Sequence, residues 1–271
     1  MKKILYIFMA VALLNLSSCY DIDNWAEPSS TFHGTVIDSY TGEPLLASQN
    51  DWQFRIWERS WTGHEGGATN HQELRIKQDG TFQNTKLFDG TYDMLPYNGP
   101  FWPVDTVKNV ILKGKSQQDF TVTPYLQIVD VSIELFTYPA SATDTIQFKF
   151  KVKAPLLQRN GVNLPNLYDV RMWLSLTPWC GEGQDSHIGF DEYRNVRPNT
   201  VNTGKYEPRM SWNDVIKPEN GGNGVDTSKE FVMRLQVVPG YTYYARCGAS
   251  TNDSHRKFNY SPIKEIVSPK R

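Results

Sequence analysis

Residues 146–153 read IQFKFKVK, an unbroken alternation of apolar and polar side chains. Successive side chains of a β-strand point to opposite faces of the sheet, so this pattern buries one face and leaves a lysine-rich face in water. Residues 146–153 are therefore predicted to form a half-buried β-strand.

Shorter segments of the same kind recur along the chain and predict an all-β fold. Runs of β-branched and aromatic residues are broken by Gly, Asn, Asp and Pro, and no segment keeps a helical period over three turns. In the N-terminal half, strands are predicted near residues 31–38, 52–60, 73–78, 81–87, 91–95, 106–112 and 118–123. In the C-terminal half, they are predicted near residues 126–135, 144–153, 168–176, 231–238, 241–249 and 262–267. This pattern is typical of two β-sandwiches in tandem.

Two turn signals and one long irregular stretch interrupt these strands. Asp79-Gly80 and Asp89-Gly90 predict tight hairpins, because Asp and Gly tolerate the positive φ that such turns need. Residues 177–229 are rich in glycine and carry few strand signals. Structureless connections of this length are uncommon and often functional, which makes this excursion the first place to look for a site.

Composition excludes some classes of protein. Lys and Arg number 28 against 29 Asp and Glu, and this near-neutral balance removes the electrostatic basis for binding nucleic acid. Three cysteines are too few for a fold held by disulfides. Two alternatives stay open for Cys180 and Cys247, a disulfide in an oxidising compartment or two buried free thiols.

The N-terminal residues predict the cellular location of the protein. Residues 1–3 are MKK, residues 4–14 are apolar but too short to span a bilayer, and residues 16–19 read LSSC. This order resembles the signal peptide and lipobox of bacterial lipoproteins, which implies that residues 1–18 are removed and Cys19 is acylated. Asp21 and Asp23 resemble the surface-export signal of Bacteroidetes lipoproteins, so residues 19–30 are interpreted as a tether. An outer-membrane, outward-facing protein is expected, with a periplasm-facing one as the alternative.

The N-terminal half carries a second resemblance. Residues 34–38 read GTVID, residues 41–45 TGEPL, residues 79–82 DGTF and residues 89–92 DGTY. These motifs resemble carboxypeptidase-regulatory-like (transthyretin-like) domains over residues 31–124. The resemblance implies a small non-catalytic sandwich that serves as a spacer or assembly module.

Residues 237–246, VVPGYTYYAR, carry the third resemblance. A Pro-Gly-x-x-Tyr segment is similar to that of fibronectin type III and immunoglobulin-like sandwiches, in which the Tyr hydroxyl binds nearby backbone as a tyrosine corner. Tyr243 stands at that position. The resemblance implies such a sandwich over residues 125–271, enlarged by the excursion at 177–229.

Taken together, the three resemblances identify the chain as similar to a two-domain Bacteroidetes lipoprotein family of unknown activity (domain-of-unknown-function family 3823). Members of such families are commonly encoded beside outer-membrane glycan importers of the starch-utilisation type. The resemblance implies a place in glycan capture, with importer proteins as further partners, and brings no catalytic motif with it.

Direct evidence for chemistry is weak in the sequence. The Gly-x-Ser-x-Gly elbow and the His-Glu-x-x-His metal motif are both absent. The acidic cluster at 185–192 does not match the spacing of a calcium loop. No catalytic residue, metal or cofactor is therefore predicted, and the chain is expected not to be an enzyme.

Aromatic side chains are the remaining signal, because flat rings bind the C–H faces of sugars while nearby polar groups bind the hydroxyls. Trp179 and Trp212 lie in the polar excursion and are the preferred platform, with Trp61 and Trp102 as second choice. Polar side chains predicted beside the platform are Asp185, Asp191, Arg194, Arg197 and Asn213. For each Trp the alternative is core packing, which is the expectation for Trp173 on its alternating strand.

These observations predict a non-catalytic, glycan-binding surface lipoprotein. One alternative is a structural or assembly protein that binds other outer-membrane proteins, and a weaker one is a hydrolase. An open aromatic shelf would favour the first hypothesis, an exposed apolar patch the second, and a deep cleft with converging carboxylates the third.

Overall fold

The computed structural model of the chain describes residues 27–49, 51–60, 70–182, 189–192 and 210–271. Strands dominate these residues, which confirms the all-β prediction. Helix within them is confined to α1 (Trp212–Val215) and a 3-10 turn (Pro218–Asn220). None of the described helices is both long and apolar enough to cross a membrane.

Within the described residues, eight strands build the N-terminal sandwich. Their bounds are β1 (Ser30–Asp38), β2 (Gln53–Glu58), β3 (Gln72–Arg75), β4 (Thr81–Leu87), β5 (Gly90–Tyr97), β6 (Val107–Leu112), β7 (Lys115–Gln117) and β8 (Phe120–Val122). One sheet has β4 and β1 side by side, with β7 and β8 sharing the other edge of β1, and the second sheet has the order β3-β2-β5-β6.

An aromatic core joins these two sheets. The ring of Phe54 on β2 stacks on Phe82 at 5.1 Å and lies 4.4 Å from Phe120, both of which belong to the opposite sheet. Aromatic pairs of this kind bury large apolar areas. The alternating burial along β1 follows directly, because each inward residue of that strand faces this core.

The two turn signals connect the sheets and do not form hairpins. β3 and β5 belong to one sheet and β4 to the other, so Asp79-Gly80 and Asp89-Gly90 each carry the chain across the core. Gly80 has the predicted positive φ of 80°. Gly90 instead opens β5, where a Cβ would lie 2.6 Å from Ser60 Oγ, so glycine is needed there for space. The predicted turn forms at Asp79-Gly80, where Gly80 N donates to Lys77 O at 3.0 Å, but the flanking strands do not pair as a hairpin, because local turn chemistry does not say which sheet the next strand joins.

The C-terminal sandwich follows from β9 onward. Its strands are β9 (Gln127–Phe136), β10 (Asp144–Lys153), β11 (Gln158–Arg159), β12 (Val162–Asn163), β13 (Leu167–Ser175), β14 (Gly189–Glu192), β15 (Phe231–Val237), β16 (Thr242–Thr251), β17 (Phe258–Tyr260) and β18 (Lys264–Val267). One sheet has the order β15-β10-β9, and the other has β14-β13-β16 with β17 and β18 both on β16.

This arrangement is that of an immunoglobulin-like sandwich. β9, β10 and β15 correspond to strands A, B and E, and β13, β16 and β18 correspond to C, F and G. Tyr243, near the start of β16, donates from its hydroxyl to Val238 O at 2.8 Å and accepts from Val238 N at 3.0 Å. The predicted tyrosine corner is therefore confirmed.

A buried arginine marks the junction between the sandwiches. Arg246 on β16 is 1% exposed and donates to Ala47 O of the N-terminal domain at 2.8 Å. It also donates to Cys180 O and Ser261 O, both at 3.0 Å, and its guanidinium lies 4.0 Å over the Tyr260 ring. The N-terminal domain thus covers one outer face of the C-terminal sandwich, and Trp173 is buried there with Leu46.

Candidate functional site

Trp179 is the predicted platform residue that the structure leaves accessible. It follows β13 in the excursion, and its side chain is 50% exposed. Leu176, three residues earlier, is exposed as well. About half of the Trp179 surface is therefore accessible to solvent.

Gln78 of the N-terminal domain holds the backbone on both sides of Trp179. Its amide nitrogen donates to Pro178 O at 2.8 Å, and its amide oxygen accepts from Cys180 N at 2.9 Å. One side chain thereby satisfies two backbone groups that flank the exposed ring. This contact crosses from one domain to the other.

Two further contacts fix the segment that follows Trp179. Cys180 O accepts from Arg246, and Glu182 N donates to the Tyr260 hydroxyl at 3.2 Å. Arg171 also pairs with Glu182 at 2.9 Å. The backbone under an exposed Trp is thus held in one position, so little conformational entropy is lost when a ligand contacts the ring.

A groove opens beside Gln78 between the two domains. Its volume is about 360 Å³, and its walls are largely apolar. The residues that form those walls are Pro44, Leu46, Pro262 and Ile263. Glu43 and Asp79 stand at the same groove. Partial burial opposes ionisation of Asp79, but hydrogen bonds from the Thr81 hydroxyl and backbone outweigh it and lower the pKa of that carboxyl. Asp79 is therefore an ionised hydrogen-bond acceptor at neutral pH.

Cys180 and Cys247 are free and buried, so the free-thiol alternative holds in this structure. Burial raises the pKa of both thiols to about 12, more than the nearby Arg246 charge lowers it. Thiols with such pKa values stay protonated at neutral pH and are poor nucleophiles. Neither cysteine supplies a reactive group to the groove.

Two residues that were predicted to form a sugar platform, Trp212 and Trp102, are buried, so the prediction is wrong for both. Trp212 on α1 is 4% exposed, and its Nε1 donates to Pro165 O at 3.0 Å within the C-terminal core. Trp102 is 3% exposed and packs edge-on against Tyr125 at 5.3 Å. Neither ring has a face open to a sugar. Asn213, also on α1, is exposed.

The other predicted site residues lie outside the described part of the chain. These are Cys19, Trp61, Asp185, Arg194 and Arg197. Asp191 belongs to β14, but its side chain is also outside the description. Among the residues that are described, no group of three or more His, Cys, Asp or Glu side chains is placed to hold a metal ion.

Comparison with known proteins gives a family for the first domain. Residues 30–123 match a family model described as the N-terminal domain of a protein of unknown function, DUF3823. No curated protein sequence is significantly similar to the chain.

Solved structures share the fold of both domains. A DUF3823 family protein from Bacteroides uniformis is 20% identical to this chain and superposes with a TM-score of 0.59. The match covers 89% of this chain and 100% of that protein's chain. A DUF3823 family protein from Parabacteroides merdae is 18% identical, covers 90% of this chain and all of its own, and has a TM-score of 0.58. A Bacteroides uniformis protein described as a "putative carbohydrate binding protein" is 18% identical, covers 89% of this chain and 99% of its own, and has a TM-score of 0.60.

These matches agree with the family resemblance drawn from the sequence motifs. The family model accounts for the first sandwich, and the solved structures show that the pair of sandwiches occurs together in DUF3823 proteins. The chain is a two-domain β-sandwich protein whose residues 30–123 match the family model of the DUF3823 N-terminal domain.

Proposed function

We propose that this protein is a non-catalytic lipoprotein of the outer membrane that captures oligosaccharide for a polysaccharide importer. The observation that carries the proposal is the half-exposed ring of Trp179 on a backbone that both domains hold in place. Sugar rings pack their C–H faces on such a platform, and carboxylates of the groove that Gln78 lines would accept hydrogen bonds from hydroxyl groups.

The groove lined by Gln78, which also holds the backbone on both sides of Trp179, supports this role. Its apolar walls suit the C–H surfaces of a sugar, and the Asp79 carboxylate suits the hydroxyls, which are costly to bury unpaired. The structure that is described as a "putative carbohydrate binding protein" has the same fold, and this supports the ligand class.

Lipid anchoring supplies the rest of the mechanism. An acylated Cys19 with more than one acyl chain would hold the protein stably at a membrane. Anchoring raises the local concentration of a binder near its importer, so modest affinity for a sugar suffices.

The first test is binding of the soluble chain from residue 20 to a panel of oligosaccharides, followed by titration calorimetry of any ligand found. We expect Trp179→Ala to weaken binding by at least about tenfold, the loss of about 1.4 kcal/mol of contact energy. Leu176→Ala is the matched control, since it removes a neighbouring exposed apolar side chain that is not a flat ring. Equal binding by the wild type and Trp179→Ala would refute the platform, and no binding to any sugar by the folded protein would refute the proposed function.

The second test concerns the anchor. Cys19→Ala should move the protein from the membrane fraction to the soluble fraction, because it removes the thiol that accepts the lipid. Fractionation of cells with and without high salt distinguishes a lipid anchor from electrostatic adsorption. A Cys19→Ala protein that stays with the membrane through a salt wash would contradict lipid anchoring at this residue.

A further inference from the structure

A pocket lies where the end of β5 and the loop that follows it meet the loop after β16. Its volume is about 280 Å³, and both domains contribute to its walls. Pockets for larger ligands usually have about 300 to 1,000 Å³, so this one suits a single small molecule and not a chain. We call it the junction pocket, and the residues that line it are residues 95–99, Phe101, Pro103, Val104, Tyr125 and residues 253–255.

Hydrogen bonds between the domains hold the N-terminal wall of the junction pocket in place. Asn259 is 3% exposed, and its amide nitrogen donates to Pro100 O at 3.0 Å. The amide oxygen of Asn259 accepts from Leu126 N at 3.1 Å, and Tyr125 N donates to Pro100 O at 3.0 Å. The wall is therefore formed before a ligand arrives, so little conformational entropy is lost on binding.

Asp253 fixes the opposite wall, which is the loop after β16. One of its carboxylate oxygens accepts from Arg256 N at 3.0 Å and from Thr251 Oγ1 at 3.2 Å, and the other accepts from His255 N at 3.0 Å. A carboxylate can accept about four hydrogen bonds, so Asp253 keeps the capacity for one more. Because Asp253 lines the pocket, a hydroxyl group of a ligand can use that capacity.

Tyr125 supplies a hydroxyl group that the protein itself does not use. The residue is 7% exposed, and among the described residues its hydroxyl has no hydrogen-bond partner. Burial, and to a smaller extent the charge of Asp253, raise the pKa of Tyr125 to about 12, so the hydroxyl keeps its proton at neutral pH. The Tyr125 hydroxyl can therefore both donate to a ligand in the pocket and accept from it.

Asn98 supplies a second unused polar group. Its side-chain oxygen accepts from Gln53 N at 3.0 Å, which leaves the amide nitrogen as a donor without a partner among the described residues. Ser254 and His255 also line the pocket and are exposed, so they add polar groups on the side that is open to solvent. The pocket thus offers both donors and acceptors.

The other walls of the junction pocket are largely apolar. A ligand that fits must combine hydrocarbon surface with several hydroxyl groups, which is the chemistry of a sugar ring. A purely apolar molecule would desolvate the Tyr125 hydroxyl and the Asn98 amide without replacing their hydrogen bonds. The side chains that form the apolar walls are Leu95, Pro96, Phe101, Pro103 and Val104.

Charge at the junction pocket favours a neutral ligand. Among the described residues that line it, Asp253 is the only Asp, Glu, Lys or Arg. Arg55 lies 3.4 Å over the centre of the Tyr97 ring, but its charge is paired with Glu73 at 3.3 Å. A ligand carboxylate would therefore be repelled by Asp253, and a ligand ammonium group would face the Asn98 amide nitrogen, which can only donate.

We propose that the junction pocket is a second binding site of this protein and takes one neutral monosaccharide unit. It lies at the other end of β16 from the Trp179 segment, where Cys180 Sγ donates to Tyr244 O at 3.4 Å, because Asp253 follows the last residue of that strand. At about 3.3 Å per residue, the two sites are about 20 Å apart. The ligand class rests on the proposed function, whereas the position of the site does not.

The test is ligand-observed NMR of the soluble chain from residue 20 with glucose, galactose and mannose, followed by titration of each sugar that binds. We expect Tyr125→Phe to weaken binding by at least about threefold, because it removes one hydrogen bond to the sugar and none within the protein. Asn98→Asp should weaken it by at least about tenfold, since it keeps the acceptor for Gln53 N but replaces the donor with a negative charge. Tyr241→Phe is the matched control, as it removes an exposed hydroxyl near the start of β16, and should stay within about twofold of the wild type.

Charged forms of the same sugar test the electrostatic argument. The uronic acid and the 2-amino sugar that correspond to the bound monosaccharide should each bind at least about threefold more weakly than the neutral form. Equal binding of the three forms would overturn the assignment of a neutral ligand.

Two further outcomes would overturn the proposal. They are no binding of any of the three neutral sugars, and equal affinity of the wild type, Tyr125→Phe and Asn98→Asp. If a lowered melting temperature shows that one of these two variants has a folding defect, the other one decides.

Trp179→Ala is titrated in parallel to tell the two sites apart. A monosaccharide that is lost in Trp179→Ala and retained in Tyr125→Phe occupies the platform, which refutes the junction pocket and leaves the proposed function in place. A monosaccharide that is lost in Tyr125→Phe and Asn98→Asp but retained in Trp179→Ala supports the junction pocket. The oligosaccharide panel described above decides the proposed function separately.

Discussion

At the scale of single residues, Tyr243 holds the turn before β16 against the strand itself. Its hydroxyl makes two bonds to the same residue, Val238, one as donor and one as acceptor. Burial raises the pKa of Tyr243, so the hydroxyl keeps its proton at neutral pH and can make both bonds. Tyr241, at the end of this turn, is exposed, while Tyr243 is buried in the core.

Tyr243→Phe tests this corner. The substitution removes both bonds and leaves two backbone groups of Val238 with weaker alternatives, so we expect the free energy of unfolding to fall by about 1 to 3 kcal/mol. Urea titration followed by tryptophan fluorescence measures it. Tyr241→Phe is the matched control, because that side chain is 52% exposed, and its effect should stay within about 0.5 kcal/mol. Equal effects for the two variants would contradict a special role for the corner.

At the scale of elements, β1 joins three other strands and depends on one glycine. Residues 31–33 pair in parallel with β7, residues 36–38 pair in parallel with β8, and β4 pairs along the other side. Gly34 lies where the parallel partner of β1 changes from β7 to β8. A Cβ there would be 1.9 Å from Gln118 O and 2.7 Å from Phe82 Cζ, so the chain between β7 and β8 approaches β1 too closely for any side chain.

Gly34→Ala should therefore destabilise the N-terminal domain by at least about 3 kcal/mol, the upper range for overpacking. Differential scanning calorimetry of the soluble chain measures the resulting fall in the melting temperature. Gly114→Ala is the comparison, since nothing lies within 4 Å of a Cβ there and only the positive φ of 60° opposes it, at about 1 to 2 kcal/mol. A smaller effect at Gly34 than at Gly114 would refute the close-approach explanation.

Two outer strands are protected against pairing with another chain. β6 and β9 each end a sheet, and each contains a non-glycine residue with positive φ, Asn109 at 60° and Asp130 at 52°. The ladder register shifts near both residues. Bulges of this kind twist an edge away from a flat partner, so these two edges are poorly suited to strand addition.

At the scale of the whole molecule, Arg246 makes the two domains depend on each other. Its side chain donates hydrogen bonds to Ala47 O in the N-terminal domain and to Cys180 O and Ser261 O in the C-terminal domain. Burial lowers the pKa of Arg246, but an arginine remains charged at neutral pH even so. The nearby Lys257–Asp51 pair at 3.1 Å adds a second link across the junction.

Arg246→Leu tests the junction. It leaves buried carbonyl oxygens without a donor, and we expect a loss of about 3 kcal/mol or more. The melting temperature should then fall by about 6 to 12 °C, and calorimetry should show two transitions where the wild type shows one. Arg234→Leu on β15 is the control: Arg234 is exposed and donates to Gln147 Oε1 at 2.8 Å within its own domain, so the loss should be about 1 kcal/mol. A single unshifted transition for Arg246→Leu would show that the domains do not depend on this residue.

Most strands and the tyrosine corner could be predicted from the sequence because their signals are local. β10 has the predicted bounds of Asp144–Lys153, and Tyr243 makes the predicted corner, since alternation and a five-residue motif need no distant partner. Trp179 was predicted as accessible for the same reason, as a Trp in a polar segment. The short strands β11, β12 and β17 and the helix α1 have too few residues to show a period, and they were missed.

Burial of side chains in irregular segments was decided by the tertiary structure. Trp212 also lies in a polar segment, yet Ser211 caps a helical turn that directs the ring onto Pro165 and into the core. Gln78, which holds the backbone beside Trp179, is 100 residues from Pro178 in sequence. Arg246 lies on the outward-facing side of β16, and it is buried because the N-terminal domain covers it. The sequence by itself determined the strands and their inward faces, because these depend on neighbouring residues. Only the tertiary structure determined that Trp212 is buried while Trp179 is half exposed, and only the packing of the two domains buried the outward-facing Arg246, because these outcomes depend on residues distant in sequence.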